Sequence, residues 1–158
     1  MNCKSSIIHC SLAAGCWLLG AGLLCGCTKE IPCPVPELGY TDEFIVDLLN
    51  PRYAPLTDFY GSVEEPLHGY KRHGVIVFHR YGNEFFAWDA TCVNDGECIE
   101  NGKVKPAADK ALSQGECTRC KSRYSLLDGT HTDKKVSLRA YYVRPLRNAT
   151  EQYRVSNR

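Results

Sequence analysis

Four cysteines in the second half of the chain have the types and spacing to do chemistry. Cys92 and Cys98 form a C-x5-C pair, and Cys117 and Cys120 form a C-x2-C pair. Gly, Asn, Asp and Lys surround both pairs, so both read as loop-borne, and loops that follow strands can converge at one end of a sheet. Three chemistries suit four converging thiols. Four thiolates bind Zn²⁺ tetrahedrally, and C-x2-C is a usual spacing for that ion. Four thiolates can also hold an iron–sulfur cluster. In an oxidising compartment the same four can close two disulfides. Spacing alone leaves all three open.

The compartment therefore matters, and the N-terminus bears on it. Lys4 is the only charged side chain before Lys29, and residues 10–24 are uncharged and largely apolar. A basic start followed by a short apolar run matches a secretory signal peptide. The run ends Leu24-Cys25-Gly26-Cys27, which resembles the lipobox of bacterial lipoproteins. The resemblance implies that residues 1–26 are an export signal and that Cys27 becomes the lipid-bearing first residue. It further implies a place in the cell envelope of a Gram-negative bacterium, on the inner or outer membrane, with the membrane held through the lipid anchor.

Two other readings of this stretch are weaker. As an uncleaved transmembrane helix it is interrupted by His9, Ser11 and several glycines. A cut before Cys16 would leave an apolar core of about six residues, below the usual range of about 7–15.

Cleavage before Cys27 makes residues 27–39 a lipidated cysteine and a proline-rich tether, and residues 40–158 one domain. Pro32, Pro34 and Pro36 hold φ fixed, so the tether, which includes Cys33, reads as an extended spacer. Lys plus Arg is 19 against 18 acidic residues, for a net charge of +1. That balance argues against a nucleic-acid partner and offers no polybasic anchor, which leaves the acyl chains to hold the membrane.

Short strands and turns are expected to position the cysteines. Residues 44–48, 59–63, 74–79, 85–88, 124–127, 136–143 and 153–155 read as strands, several of them β-branched and aromatic. Tyr81-Gly82-Asn83-Glu84 and Asp128-Gly129 supply turns, and no stretch sustains helical periodicity. The predicted class is all-β, an antiparallel barrel or sandwich. Trp88, Phe78, Phe85, Phe86 and Tyr124 are its expected aromatic core.

The residues around the cysteines resemble the Rieske iron–sulfur domain over about residues 74–156. That family carries two loops, C-x-H and C-x-x-H-G-S-x-F. Here they are matched by Cys92-Val93-Asn94 and by Cys117-Thr118-Arg119-Cys120-Lys121-Ser122-Arg123-Tyr124, with Asp128-Gly129 as the following turn. Leu138 to Val143 is similar to the family's closing strand. The resemblance implies a [2Fe–2S] centre and electron transfer to a redox protein partner rather than enzymatic turnover.

The departures lie in the ligands. Asn94 stands where the first histidine should be, and Cys120 where the second should be. Cys98 adds a thiol, so Cys92, Cys98, Cys117 and Cys120 form an all-sulfur ligand set. A cluster held that way should have a potential near the plant ferredoxin value of about −400 mV rather than the higher Rieske range. The alternative is the same scaffold as a structural or interaction module, stapled by zinc or disulfides and without redox activity. His131 reads as a solvated loop residue, and His79 as a satisfied or surface-facing residue in an apolar strand. Asn148-Ala149-Thr150 matches a glycosylation sequon by chance. No hydrolytic signature stands out.

Overall fold

The computed structural model of the protein describes residues 31–107, 113–147 and 151–158. The export signal, Cys27 and the Asn148-Ala149-Thr150 sequon lie outside the described residues.

The described residues form strands β1 (Glu43–Asp47), β2 (Ser62–Glu65), β3 (Val75–His79), β4 (Phe85–Asp89), β5 (Val104–Pro106), β6 (Gln114–Cys117), β7 (Arg123–Ser125), β8 (Ala140–Pro145) and β9 (Gln152–Ser156), with the short α-helix α1 (Gly96–Asn101) and 3-10 helices at Pro51–Thr57 and Tyr70–Arg72. Six of these strands form an antiparallel sheet in the order β1-β9-β8-β4-β3-β2, and β5-β6-β7 form a second, smaller one. The class is all-β, as the sequence predicts.

Strand β3 shows why the sheet forms here. All five of its residues are buried, and its β-branched and aromatic side chains suit a pleated surface covered on both faces. Val75 and Val77 enter a cluster with Val46, Leu56, Tyr141 and Val155. Ile76 and Phe78 point the other way, into a cluster with Trp88, Val104, Tyr124 and Leu126. The first cluster draws on β1 through Val46 and on β2 through Val63, the two ends of the sheet order. Sharing one core requires the sheet to curl. The second cluster fills the space toward the small sheet and includes Cys92, Cys98 and Cys117.

Several expectations are corrected. The second strand begins at Ser62 rather than Phe59, because Tyr60 turns with φ of 63°. The closing strand begins at Ala140 rather than Val136. Strands β5 and β6 and helix α1 were not expected. Residues 31–39 are not a free spacer. Val35 and Leu38 are 2% and 8% exposed, Ser137 N–H donates to the Pro32 carbonyl at 3.2 Å, and the Arg139 guanidinium bonds the Val35 carbonyl. Apolar residues between the prolines bury against the domain and turn the spacer into a strap. Among the described residues no helix is long and apolar enough to cross a membrane.

Candidate metal centre

The small sheet, α1 and the ends of the longer strands bring the four cysteines to one point. Cys92 follows β4 and is fixed by its amide, which donates to the Gly102 carbonyl at 3.0 Å. Cys98 lies in α1 rather than in a loop. Asp95 caps that helix, its carboxylate accepting from Cys98 N–H at 2.8 Å, as a short polar side chain does at a helix start. Cys117 ends β6 opposite Val104. Cys120 sits in the turn that follows, which closes by Cys117 N–H to the Ser122 carbonyl at 2.9 Å.

That turn needs a left-handed residue. Lys121 supplies it with φ of 63°, at the position where the Rieske motif has glycine, the residue that takes this conformation without strain.

The four Sγ atoms all lie within 4.8 Å of one another, and Cys92 Sγ is 3.6 Å from Cys120 Sγ. Cys92, Cys98 and Cys117 are buried and Cys120 is half-buried, and none is in a disulfide. With zinc–sulfur bonds of about 2.3 Å, a tetrahedral site has sulfur–sulfur edges of about 3.8 Å. The cluster is therefore close to the size of one ion's coordination shell, and these residues could hold a metal ion.

The surroundings are tuned unevenly. Burial pushes the Cys92 thiol up to about 12 and also raises Cys98. Burial opposes ionisation of Cys120 too. There the Ser122 hydroxyl and amide, and then Cys98 and Cys117, outweigh it and bring the thiol down to about 6. At neutral pH the site holds a thiolate at Cys120, stabilised by hydrogen bonds, beside the protonated thiols of Cys92 and Cys98.

Three residues around the cysteines have roles that the sequence reading missed. Tyr124 was expected in the core, and its ring is fully buried there. Its hydroxyl does more: it lies 3.2 Å from Cys92 Sγ and accepts from Val93 N–H at 3.1 Å. Gly102 lets α1 close tightly, since a Cβ there would stand 2.7 Å from the Cys98 carbonyl oxygen and 3.0 Å from Cys92 Cβ.

His131, read as solvated, is 6% exposed and meets the Tyr124 ring edge-on at 5.0 Å. Its Nδ1 accepts from the amides of Asp133 and Lys134, which fixes its orientation. Burial lowers its pKa. Residue type and spacing do not mark these roles, because each depends on how the chain folds around the cysteines.

Asn94 does not join the sulfurs, its side-chain amide bonding Asp95 at 2.9 Å instead. His79 is buried, with the Asp58 and Gly82 carbonyl oxygens 3.1 Å from Nδ1 and 2.9 Å from Nε2, so either tautomer has an acceptor for its N–H. No protein-family model, curated protein or solved structure matches the chain. The metal-centre assignment therefore rests on the chain's own geometry.

Tyr124→Phe tests the outer contact directly. The ring stays, but Cys92 loses a hydrogen-bond donor and Val93 N–H loses its acceptor. A metal affinity lower by about 10–100-fold and a stability loss of about 1–3 kcal/mol are expected. A chelator competition and a urea melt of the same variant read the two effects. Unchanged affinity would show that the hydroxyl serves the backbone alone.

Proposed function

We propose that the protein is a lipid-anchored cell-envelope lipoprotein whose β domain carries a structural zinc ion on a Rieske-like scaffold. The observation that carries this reading is the compactness of the sulfurs, all four within 4.8 Å. A two-iron core would put its second pair of thiolates a further metal–metal step away, so the loops would have to open to admit it. Two disulfides would need only pairwise approach, which gives no reason for all four to gather. Zinc fits the four-sulfur set and leaves no open position, the mark of a structural site. When bound, it would tie the segment after β4 and helix α1 to the β6–β7 turn. The domain would then act as an interaction module rather than a redox carrier.

Metal analysis of protein taken anaerobically from its host envelope tests this, with one zinc per chain expected. Iron with acid-labile sulfide, or two disulfides in a thiol count, would overturn it. The pH response is a further check. Cys92 and Cys98 must each lose a proton to bind, whereas Cys120 is already ionised above about 6. The two protons released by Cys92 and Cys98 alone should raise affinity about 100-fold per pH unit above that point, and the slope should steepen below it, where Cys120 also takes up a proton. Competition titrations at pH 5.5, 6.5 and 7.5 would measure the slope.

One observation favours a second reading, a [2Fe–2S] centre passing electrons to a protein partner. The Tyr124 and Ser122 hydroxyls lie within 3.2 Å of Cys92 and Cys120 sulfurs, and such bonds set iron–sulfur potentials. A reduced-state electron paramagnetic resonance signal would support it.

A further inference from the structure

The near-zero net charge conceals a segregation of charge that only the fold reveals. On β8 and β9, Arg144 stands directly opposite Arg154, both exposed. Like charges in that position repel. With Arg147 and Arg158 they line a groove of about 440 Å³ in which Glu43 is the one acidic residue. Next to it, Arg139, Arg144 and Arg158 line a second groove with Glu37.

Elsewhere most arginines are paired, Arg52 with Glu65 and Arg119 with Glu97, each at 2.8 Å, and Arg80 with Glu84 at 3.4 Å, while exposed Arg72 has no carboxylate partner among the described residues. Among the described residues, Arg144, Arg147 and Arg154 have no carboxylate in ion-pair range. Exposed Tyr142 and Ile45 share the face, Ile45 opposite Arg154 and Tyr142 beneath the Arg144 guanidinium. Arginine forks on a surface with an aromatic and an aliphatic residue suit phosphate-bearing lipid headgroups.

The strap ties this face to the N-terminus. Arg158 donates to the Leu38 carbonyl at 2.9 Å, and Arg139 bonds the Val35 carbonyl. From Ile31 back to Cys27 is four residues, a reach of at most about 14 Å. We infer that the outer face of β1, β9 and β8 lies against the anionic headgroups of the membrane in which Cys27 is anchored. The inference rests on the lipoprotein reading and adds an orientation to it. The acyl chains give attachment, and the arginines hold the domain by this one face.

The test uses the mature protein reconstituted on phosphatidylcholine vesicles with or without phosphatidylglycerol. An arginine-selective dicarbonyl reagent is read out by peptide mass spectrometry. Arg144, Arg147 and Arg154 should react several-fold more slowly on the anionic vesicles, high salt should remove the difference, and Arg119 should not change. Equal rates on lipidated protein would overturn the docking and leave the anchor standing. The same protection from inorganic phosphate on neutral vesicles would replace the membrane with a small anion. An intact mass without diacylglycerol would overturn the anchor and the docking together.

Discussion

Cys117→Ala is expected to abolish stoichiometric metal binding and to lower the thermal midpoint by about 10 °C or more. Cys117 is fully buried where β6 ends, so its loss leaves three sulfurs and an unfilled position. A metal present at a thousand times its Kd stabilises the folded state by about 4 kcal/mol. For a domain of this size that is roughly 3 °C per kcal/mol.

The packing part of the loss is small, since Cys to Ala removes one sulfur atom, at a cost of about 1–1.5 kcal/mol. Calorimetry of wild type and variant, each with and without chelator, separates the two. Chelation should destabilise the wild type and leave the variant almost unmoved. A wild type indifferent to chelation would sink the structural-metal reading, whatever the variant does.

Gly129→Ala should be strongly destabilising, at about 2–4 kcal/mol. Gly129 has φ of +73°, and an added Cβ would meet Trp88 Cζ3 at 2.6 Å and Cε3 at 2.7 Å. Left-handed backbone costs an alanine about 1 kcal/mol, and forced overpacking adds about 1–3 kcal/mol. Trp88 cannot step aside cheaply, because its indole N–H donates to the Leu126 carbonyl at 2.9 Å. That bond ties β4 to the turn after β7.

Two glycines serve as controls. Gly82 has φ of +58° with nothing within 4 Å of its would-be Cβ, so Gly82→Ala isolates the backbone strain; Gly96 has neither feature and should tolerate alanine. Urea midpoints for the three variants should rank in that order. A Gly129→Ala midpoint equal to that of Gly82→Ala would show that Trp88 yields.

The chemistry-bearing residues and the large sheet were legible because both leave local traces. Cys92, Cys98, Cys117 and Cys120 are conspicuous by type and spacing. The run from Gly74 to Trp88 carries β-branched and aromatic residues around a turn, and β3 and β4 form there. Strands β5 and β6 left no such trace. Val-Lys-Pro and Gln-Gly-Glu-Cys are three and four residues long, too short for a period to show. They hold together because Val104, Gly115 and Cys117 pack inward across a pairing that joins separate segments. Helix α1, at six residues, is also short and depends on its Asp95 cap and on Gly102.

The sequence by itself determined which atoms could bind a metal, the all-β class, and a resemblance whose two histidines are missing. Tertiary structure decided that the four sulfurs meet within one ion's reach. It also decided that the proline-rich segment is a strap from Ile31 onward, that His131 is buried, and that the arginines of a balanced chain gather on one face. The physical reason is the same in each case. Composition and spacing report what each segment prefers alone, whereas these properties come from contacts between residues far apart along the chain.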